Sequence, residues 1–254
     1  MNLLISLRSE ILKTKRTASF YFTLGAACFG PFASMLDLAF DGVEPVNRPV
    51  ILSKILVDKF DITGSMMMPI FIILACTLLS QIEYKNHTWK QVMATPQSKF
   101  NILLAKFVNV HLLIITFLVV NFLMMLLVAV ILHFMEPSLD VLNQSINGMD
   151  VLMIRARGYV ALLALTSIQF WLGLRFRNFI APIGIGIGLW LAGTILVFEA
   201  KSGFAEYFPY SFHAFGVNEQ FLPANDTYLL MSAVYAIVFL GVGYLDFRNR
   251  RMHG

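Results

Sequence analysis

Six long apolar runs, joined by polar segments, take up most of this chain and begin near Thr17, Ser65, Ala105, Gly158, Phe179 and Thr227. Each is about 20 residues or longer, enough for a helix to cross a hydrocarbon core of roughly 30 Å. In lipid, every backbone N–H and C=O must find its partner inside the segment, so such runs have to be helical. The expected fold is therefore an all-α integral membrane protein. Its spans fall at about 17–39, 65–82, 105–132, 158–174, 179–198 and 227–247. Composition agrees: 58% of residues are hydrophobic and 13% charged, against about 25% charged in a typical soluble domain. The polar stretches 40–64, 133–157 and 199–226 are too short to fold alone, so residues 1–254 read as a single transmembrane domain.

Charge gives the expected orientation. If the N-terminus is cytoplasmic, thirteen of the nineteen Lys and Arg residues fall on the inner side, among them Arg8, Lys13, Lys85, Lys90, Lys106, Arg175 and Arg248. The positive-inside rule then places both termini in the cytoplasm. The sequence pI of about 9.1 reads as membrane orientation; the chain lacks the basic, aromatic-studded soluble face of a nucleic-acid binder. Before the first span, Leu3, Leu4, Leu7, Ile11 and Leu12 recur at helical spacing with basic residues between them. This predicts an amphipathic interfacial helix over 2–16. The run from Thr17 to Phe40 is too long for a signal peptide, and no small-residue cleavage site follows it.

Catalytic signals are lacking. Charged residues are expected at the span ends only, which disfavours an ion-coupled carrier. Cys28 and Cys76 fall in apolar runs and read as small buried hydrophobes. The five histidines are scattered, without an HExxH or Cys/His pattern, so no metal site is expected. No phosphate loop of the form GxxxxGK[ST] occurs: any ATP and Mg would be held by another chain, and none of the expected site residues is catalytic or cofactor-binding. Asn121 and Gln169 are expected to hydrogen-bond between helices. Gly30-Pro31 predicts a kink in the first span. Gly184 and Gly188 form a small-xxx-small step in span 5, a candidate close helix contact within the bundle or across a dimer. Ile51, Ile55 and Phe60, interleaved with Lys54, Asp58 and Lys59, suggest a short surface helix after the first span.

The richest polar segment on the inner side is 83–106. A helix from about 84 to 94 would put Trp89, Val92 and Met93 on one face and His87, Lys90 and Gln91 opposite. Pro96 ends it, since the residue before a proline avoids the helical region, and Ser98 can cap the helix that re-enters the membrane. The segment thus makes a short amphipathic helix between two spans, a shape suited to docking a cytoplasmic partner.

Glu83 at the end of span 2, Thr88 and Lys90 beyond it, Ala94-Thr95-Pro96, Ser98-Lys99 and Lys106 entering span 3 resemble the coupling segment of ABC-2 type transporter permeases. The six-span layout and basic N-terminal helix match that family over nearly the whole chain. This version of the motif is most similar to its lantibiotic-immunity and bacitracin-resistance branch. The resemblance implies the membrane subunit of an exporter in a prokaryotic plasma membrane, paired with a second copy or a related permease. It further implies a cytoplasmic ABC ATPase that docks on Glu83, Lys85, Thr88, Trp89, Lys90, Pro96 and Lys99. The substrate would be hydrophobic or amphipathic, a peptide antibiotic among the options. It also implies short re-entrant helices in 199–226. The rival reading is a membrane scaffold that anchors a partner without moving substrate.

Overall fold

The computed structural model describes residues 3–15, 17–41, 50–57, 66–217, 223 and 225–249. Among them every regular element is helical. The long elements are α1 (Leu3–Thr14), α2 (Ala18–Asp41), α4 (Met68–Lys85), α6 (Lys99–Met135), α7 (Gly148–Ala161), α8 (Leu163–Arg175), α9 (Ile180–Phe198) and α11 (Thr227–Asn249). The short helices are α3 (Ile51–Leu56), α5 (Trp89–Ala94) and α10 (Phe212–Val217), joined by brief 3-10 turns. Six stretches are long and apolar enough to span a membrane, with α7 and α8 together making the fourth. Within an apolar 18-residue stretch of each span, 61% of Met68–Lys85 and 56% of Gly148–Arg175 is buried inside the chain, against 22–33% for the others. These two therefore form the centre, and α2, α6, α9 and α11 present wide apolar faces to lipid.

Lipid tails are as apolar as leucine, so van der Waals fit and interhelical hydrogen bonds decide how such helices associate. At two places such bonds repair a backbone that its own helix leaves short of a partner. The first lies in α2, which runs on through Pro31. A proline has no N–H, so the carbonyl four residues earlier, Ala27, loses its regular donor. Asn121 of α6, fully buried, donates to that Ala27 oxygen at 3.1 Å. The second lies at the α7–α8 junction around Leu162. There the Ser232 hydroxyl of α11 donates to the Val160 carbonyl at 2.7 Å and accepts from the Ala164 N–H at 3.1 Å. Gln169 likewise ties α8 to α9 by donating to the Pro182 carbonyl at 2.8 Å, and it accepts from Tyr210 at 3.1 Å. The interhelical roles expected for Asn121 and Gln169 are observed.

Several expected boundaries shift. Span 4 begins at Gly148 rather than Gly158, capped by the Asn147 side chain, which accepts from the Met149 N–H. Arg155 and Arg157 therefore stand inside this helix and not in an outer loop. They interrupt the apolar run, which hid the first ten residues from a hydropathy reading. Span 3 is also longer than expected, at 37 residues. The predicted surface helix is α3. Its Ile51, Leu52, Ile55 and Leu56 are all buried against the far end of α6, so it is an inserted wedge; the expected Asp58, Lys59 and Phe60 lie outside the described residues. The stretch 203–217 does turn back into the bundle, with Tyr210, Phe212, His213 and Ala214 buried.

Candidate functional site

The C-terminal ends of α4, α8 and α11 and the start of α6 meet at one end of the bundle. Lys99 donates to the Arg248 carbonyl at 2.7 Å and Arg175 pairs with Asp246 at 2.6 Å. The hairpin between α4 and α6 projects from this end. Local sequence rules shape it. Thr95, before Pro96, is extended and stops α5. Ser98 is the N-cap of α6, its hydroxyl accepting from the Asn101 N–H at 3.1 Å. The expected helix from 84 to 94 is broken in two. α4 ends at Lys85, His87 takes a left-handed φ of 52°, and α5 begins at Trp89.

The two faces of α5 do different things. Trp89 is 6% exposed and packs between Tyr84 (ring centroids 5.5 Å) and Phe247 (5.7 Å), with the Lys106 ammonium 5.6 Å from its ring centre. Val92 and Met93 pack on the same core. Tyr84 is itself held by its hydroxyl, which donates to the Leu174 carbonyl at 2.7 Å. Lys85, His87, Lys90, Gln91 and the Ala94-Thr95-Pro96 turn are exposed, while Thr88 and Lys99 are half-buried. Of the residues expected to dock a partner, Glu83 and Trp89 thus face the chain's own interior and cannot touch one. The tryptophan fastens the hairpin to the bundle instead.

Beneath the hairpin lies a buried ionic cluster that joins three elements. Lys106 of α6 contacts Glu10 of α1 at 2.7 Å and Glu83 of α4 at 2.5 Å. Lys13 contacts the same two carboxylates, at 2.6 Å and 3.2 Å. Burial raises the Glu10 pKa, but the neighbouring Lys106 and Lys13 more than reverse this and hold it below its ordinary value. For Lys13, burial favours the neutral amine, and the hydrogen bonds and charges of Glu10 and Glu83 outweigh it, so its pKa is raised. Ser6 adds a bond from α1 to the hairpin, donating to Gln97 Oε1 at 2.8 Å, and Asn109 donates to Thr14 at 2.6 Å. Ser6, Glu10 and Thr14 recur every four residues, so α1 turns a polar stripe to the bundle. Leu4, Ile5, Ile11 and Leu12 stay exposed. This is the geometry of an interfacial helix whose apolar side meets lipid.

Comparison with protein families places this architecture. A family model described as an ABC-2 family transporter protein matches residues 6–193, from α1 through most of α9. The chain belongs to the ABC-2 transporter family. It is a multi-pass membrane protein with a permease role in an ABC transporter, and the plasma membrane of a prokaryote is the family's typical setting. Searches of curated proteins and of solved structures find no match.

Within this permease, Gly184 and Gly188 are not where α9 meets its own bundle. Both are exposed, and a Cβ added at either would meet nothing within 4 Å. The close approaches are at Gly186 and Gly193. A Cβ at Gly186 would lie 2.6 Å from Gln169 Oε1, and one at Gly193 would run into the Tyr210 carbonyl. Sequence reasoning also missed Glu10 and Lys13 as members of the site. The only available signal was an acid in an otherwise basic helix.

Proposed function

We propose that this permease is the membrane subunit of an exporter whose ATP is bound and hydrolysed by a separate cytoplasmic ABC ATPase. The ATPase docks on the exposed face formed by Lys85, His87, Lys90, Gln91 and the Ala94-Thr95-Pro96 turn. The observation that carries this reading is the split character of α5: one side is locked into the bundle by Trp89, and the other is polar and exposed. Both termini lie in the cytoplasm, in keeping with the basic residues gathered at the hairpin end. Closure of an ATPase dimer displaces α5. The Glu10–Lys13–Glu83–Lys106 cluster passes that movement to α1, α4 and α6, and the spans alternate access for a hydrophobic or amphipathic substrate. A second copy or a related permease completes the pathway, and the outward Gly184–Gly188 face of α9 is where close approach of a partner helix is sterically open.

The test is substrate-independent. A Lys85→Glu, Lys90→Glu variant places like charge against a surface that accepts cations, which is costly at an interface. Its co-purified ATPase should fall at least about tenfold, equivalent to about 1.4 kcal/mol, while its unfolding midpoint stays at the wild-type value. Undiminished ATPase recovery would remove the docking role from this face.

A further inference from the structure

α1 turns Ser6, Glu10 and Thr14 to the bundle, and its other side carries a second pattern. Leu4 with Ile11, Ile5 with Leu12, and Arg8 with Lys15 are pairs seven residues apart, so all six share one face. Leu4 and Leu12 are 74% and 61% exposed, and Arg8 and Lys15 are exposed as well. Around the helix the two cations stand in the middle of that face. Leu4 and Ile11 flank them on one side, Ile5 and Leu12 on the other. Among the described residues neither cation is in an ion pair, whereas Lys13, at the edge of the buried stripe, meets Glu10 and Glu83.

The course of α1 decides what covers this face. Glu10 meets Lys106, Thr14 meets Asn109 and, in α2, Ala27 meets Asn121, at sequence separations of 96, 95 and 94. α1 and α2 thus follow α6 in one direction and one register. The buried stripe continues from α1 into α2 as Ser19, Thr23 and Ala27. The outward face of α1 is therefore continuous with the lipid-facing side of α2, where Tyr21, Phe29 and Phe32 are exposed. The 37 residues of α6 make about 55 Å at 1.5 Å each, well beyond a hydrocarbon core of roughly 30 Å. Its first turns, along which α1 packs, start at the hairpin end and carry Lys99 and Lys106, so they lie at the level of the lipid headgroups on that side. At that level leucine and isoleucine reach acyl chains, while arginine and lysine extend their charged ends to phosphates.

We propose that the outward face of α1 selects anionic phospholipids of the leaflet on the hairpin side. Arg8 and Lys15 hold the negative headgroups, and Leu4, Ile5, Ile11 and Leu12 seat the helix among the upper acyl carbons. The face is separate from the α5 docking surface, and its test needs no ATPase.

The probes are dioleoyl phosphatidylglycerol and dioleoyl phosphatidylcholine, which share their chains and differ in headgroup charge. Each is added to the full chain purified and delipidated in a neutral maltoside detergent, with bound lipid read by native mass spectrometry. A basic residue near an anionic lipid surface contributes about fivefold, so the two together should favour phosphatidylglycerol by at least about tenfold. Arg8→Gln with Lys15→Gln should bring the two lipids to within about twofold of each other, by the same arithmetic. Both side chains are exposed, so the unfolding midpoint of this variant should stay at the wild-type value. Arg177→Gln with Lys201→Gln removes the same charge from exposed positions elsewhere and should keep the preference. Equal retention of both lipids by the wild type would overturn the proposal. Equal loss of preference in the two double variants would also overturn it, because overall charge and not this face would then select the lipid. An unchanged preference in Arg8→Gln, Lys15→Gln, with loss of a co-purifying ATPase, would assign the face to that protein and overturn it as well.

Discussion

Replacing Lys106 by methionine, which keeps the volume and removes the charge, leaves Glu10 and Glu83 to share Lys13. A neutral cluster of two acids and two bases becomes one of net charge −1. Lys106 is 5% exposed at its side chain and Glu83 1%, so water cannot take over the lost bonds. Breaking a buried ion pair from one side destabilises by about 3–5 kcal/mol. At about 2–4 °C per kcal/mol for a chain of this size, the unfolding midpoint should fall by roughly 6–20 °C. Lys13→Met removes the same formal charge from the same two carboxylates. Its side chain, however, is 32% exposed, and water and salt screen such a pair to about 1 kcal/mol or less. Removing one charge of each sign, in Lys106→Met with Glu83→Gln, should recover much of the loss, as interacting sites are non-additive by about 0.5–3 kcal/mol. The assay is tryptophan-fluorescence unfolding of the detergent-purified permease. Equal damage from Lys13→Met and Lys106→Met, or simple additivity in the double variant, would refute a cluster held by burial. The pH dependence has a definite sign. The Glu10 pKa lies below its ordinary 4.5, so its contribution is present above that pH and is lost as pH falls through the lowered value. The Lys13 pKa lies above its ordinary 10.5, so its contribution is present below that pH and is lost only as pH rises through the raised value. Between these limits the stabilisation should be flat.

Three further outcomes are expected from the same unfolding assay. Asn121→Leu strands the Ala27 carbonyl beside Pro31 and should destabilise by about 1–3 kcal/mol. In a Pro31→Ala background, where residue 31 can donate again, the penalty should largely vanish. Gly193→Ala forces a methyl onto the Tyr210 carbonyl and should destabilise by about 1–3 kcal/mol, whereas Gly188→Ala should leave the isolated chain unchanged. Trp89→Ala should destabilise by about 3–5 kcal/mol even with no ATPase present, because the indole packs inside this chain.

Wherever a local rule governs, the structure follows the sequence. The spans are visible because lipid demands unbroken apolar helices, and the hairpin is visible because Trp89, Pro96 and Ser98 act within a few residues of one another. The sidedness of α5 was also legible, with Trp89, Val92 and Met93 falling together. What a local pattern cannot give is rotation about a helix axis. Gly184 with Gly188, and Gly186 with Gly193, are both plausible contact pairs on one helix; Gln169 and the Tyr210 carbonyl, on other elements, select the second. Nor can it give pairing across ninety-six residues, so Glu10 and Lys106 read separately as helix charges. Arg155 was misplaced for a related reason. Hydropathy averages over a window, and an arginine stacked on Phe122 inside a span looks like the end of one.

The most direct test of the whole account is affinity purification of the full chain from its native membrane in mild detergent. Mass spectrometry of the co-purifying proteins follows, with the wild type beside a variant carrying changes only at the exposed positions Lys85, Lys90 and Gln91. An ABC ATPase present in a 1:1 ratio with the wild type and lost from the variant is the predicted result. A permease that purifies alone, or an ATPase retained equally by both chains, would contradict it.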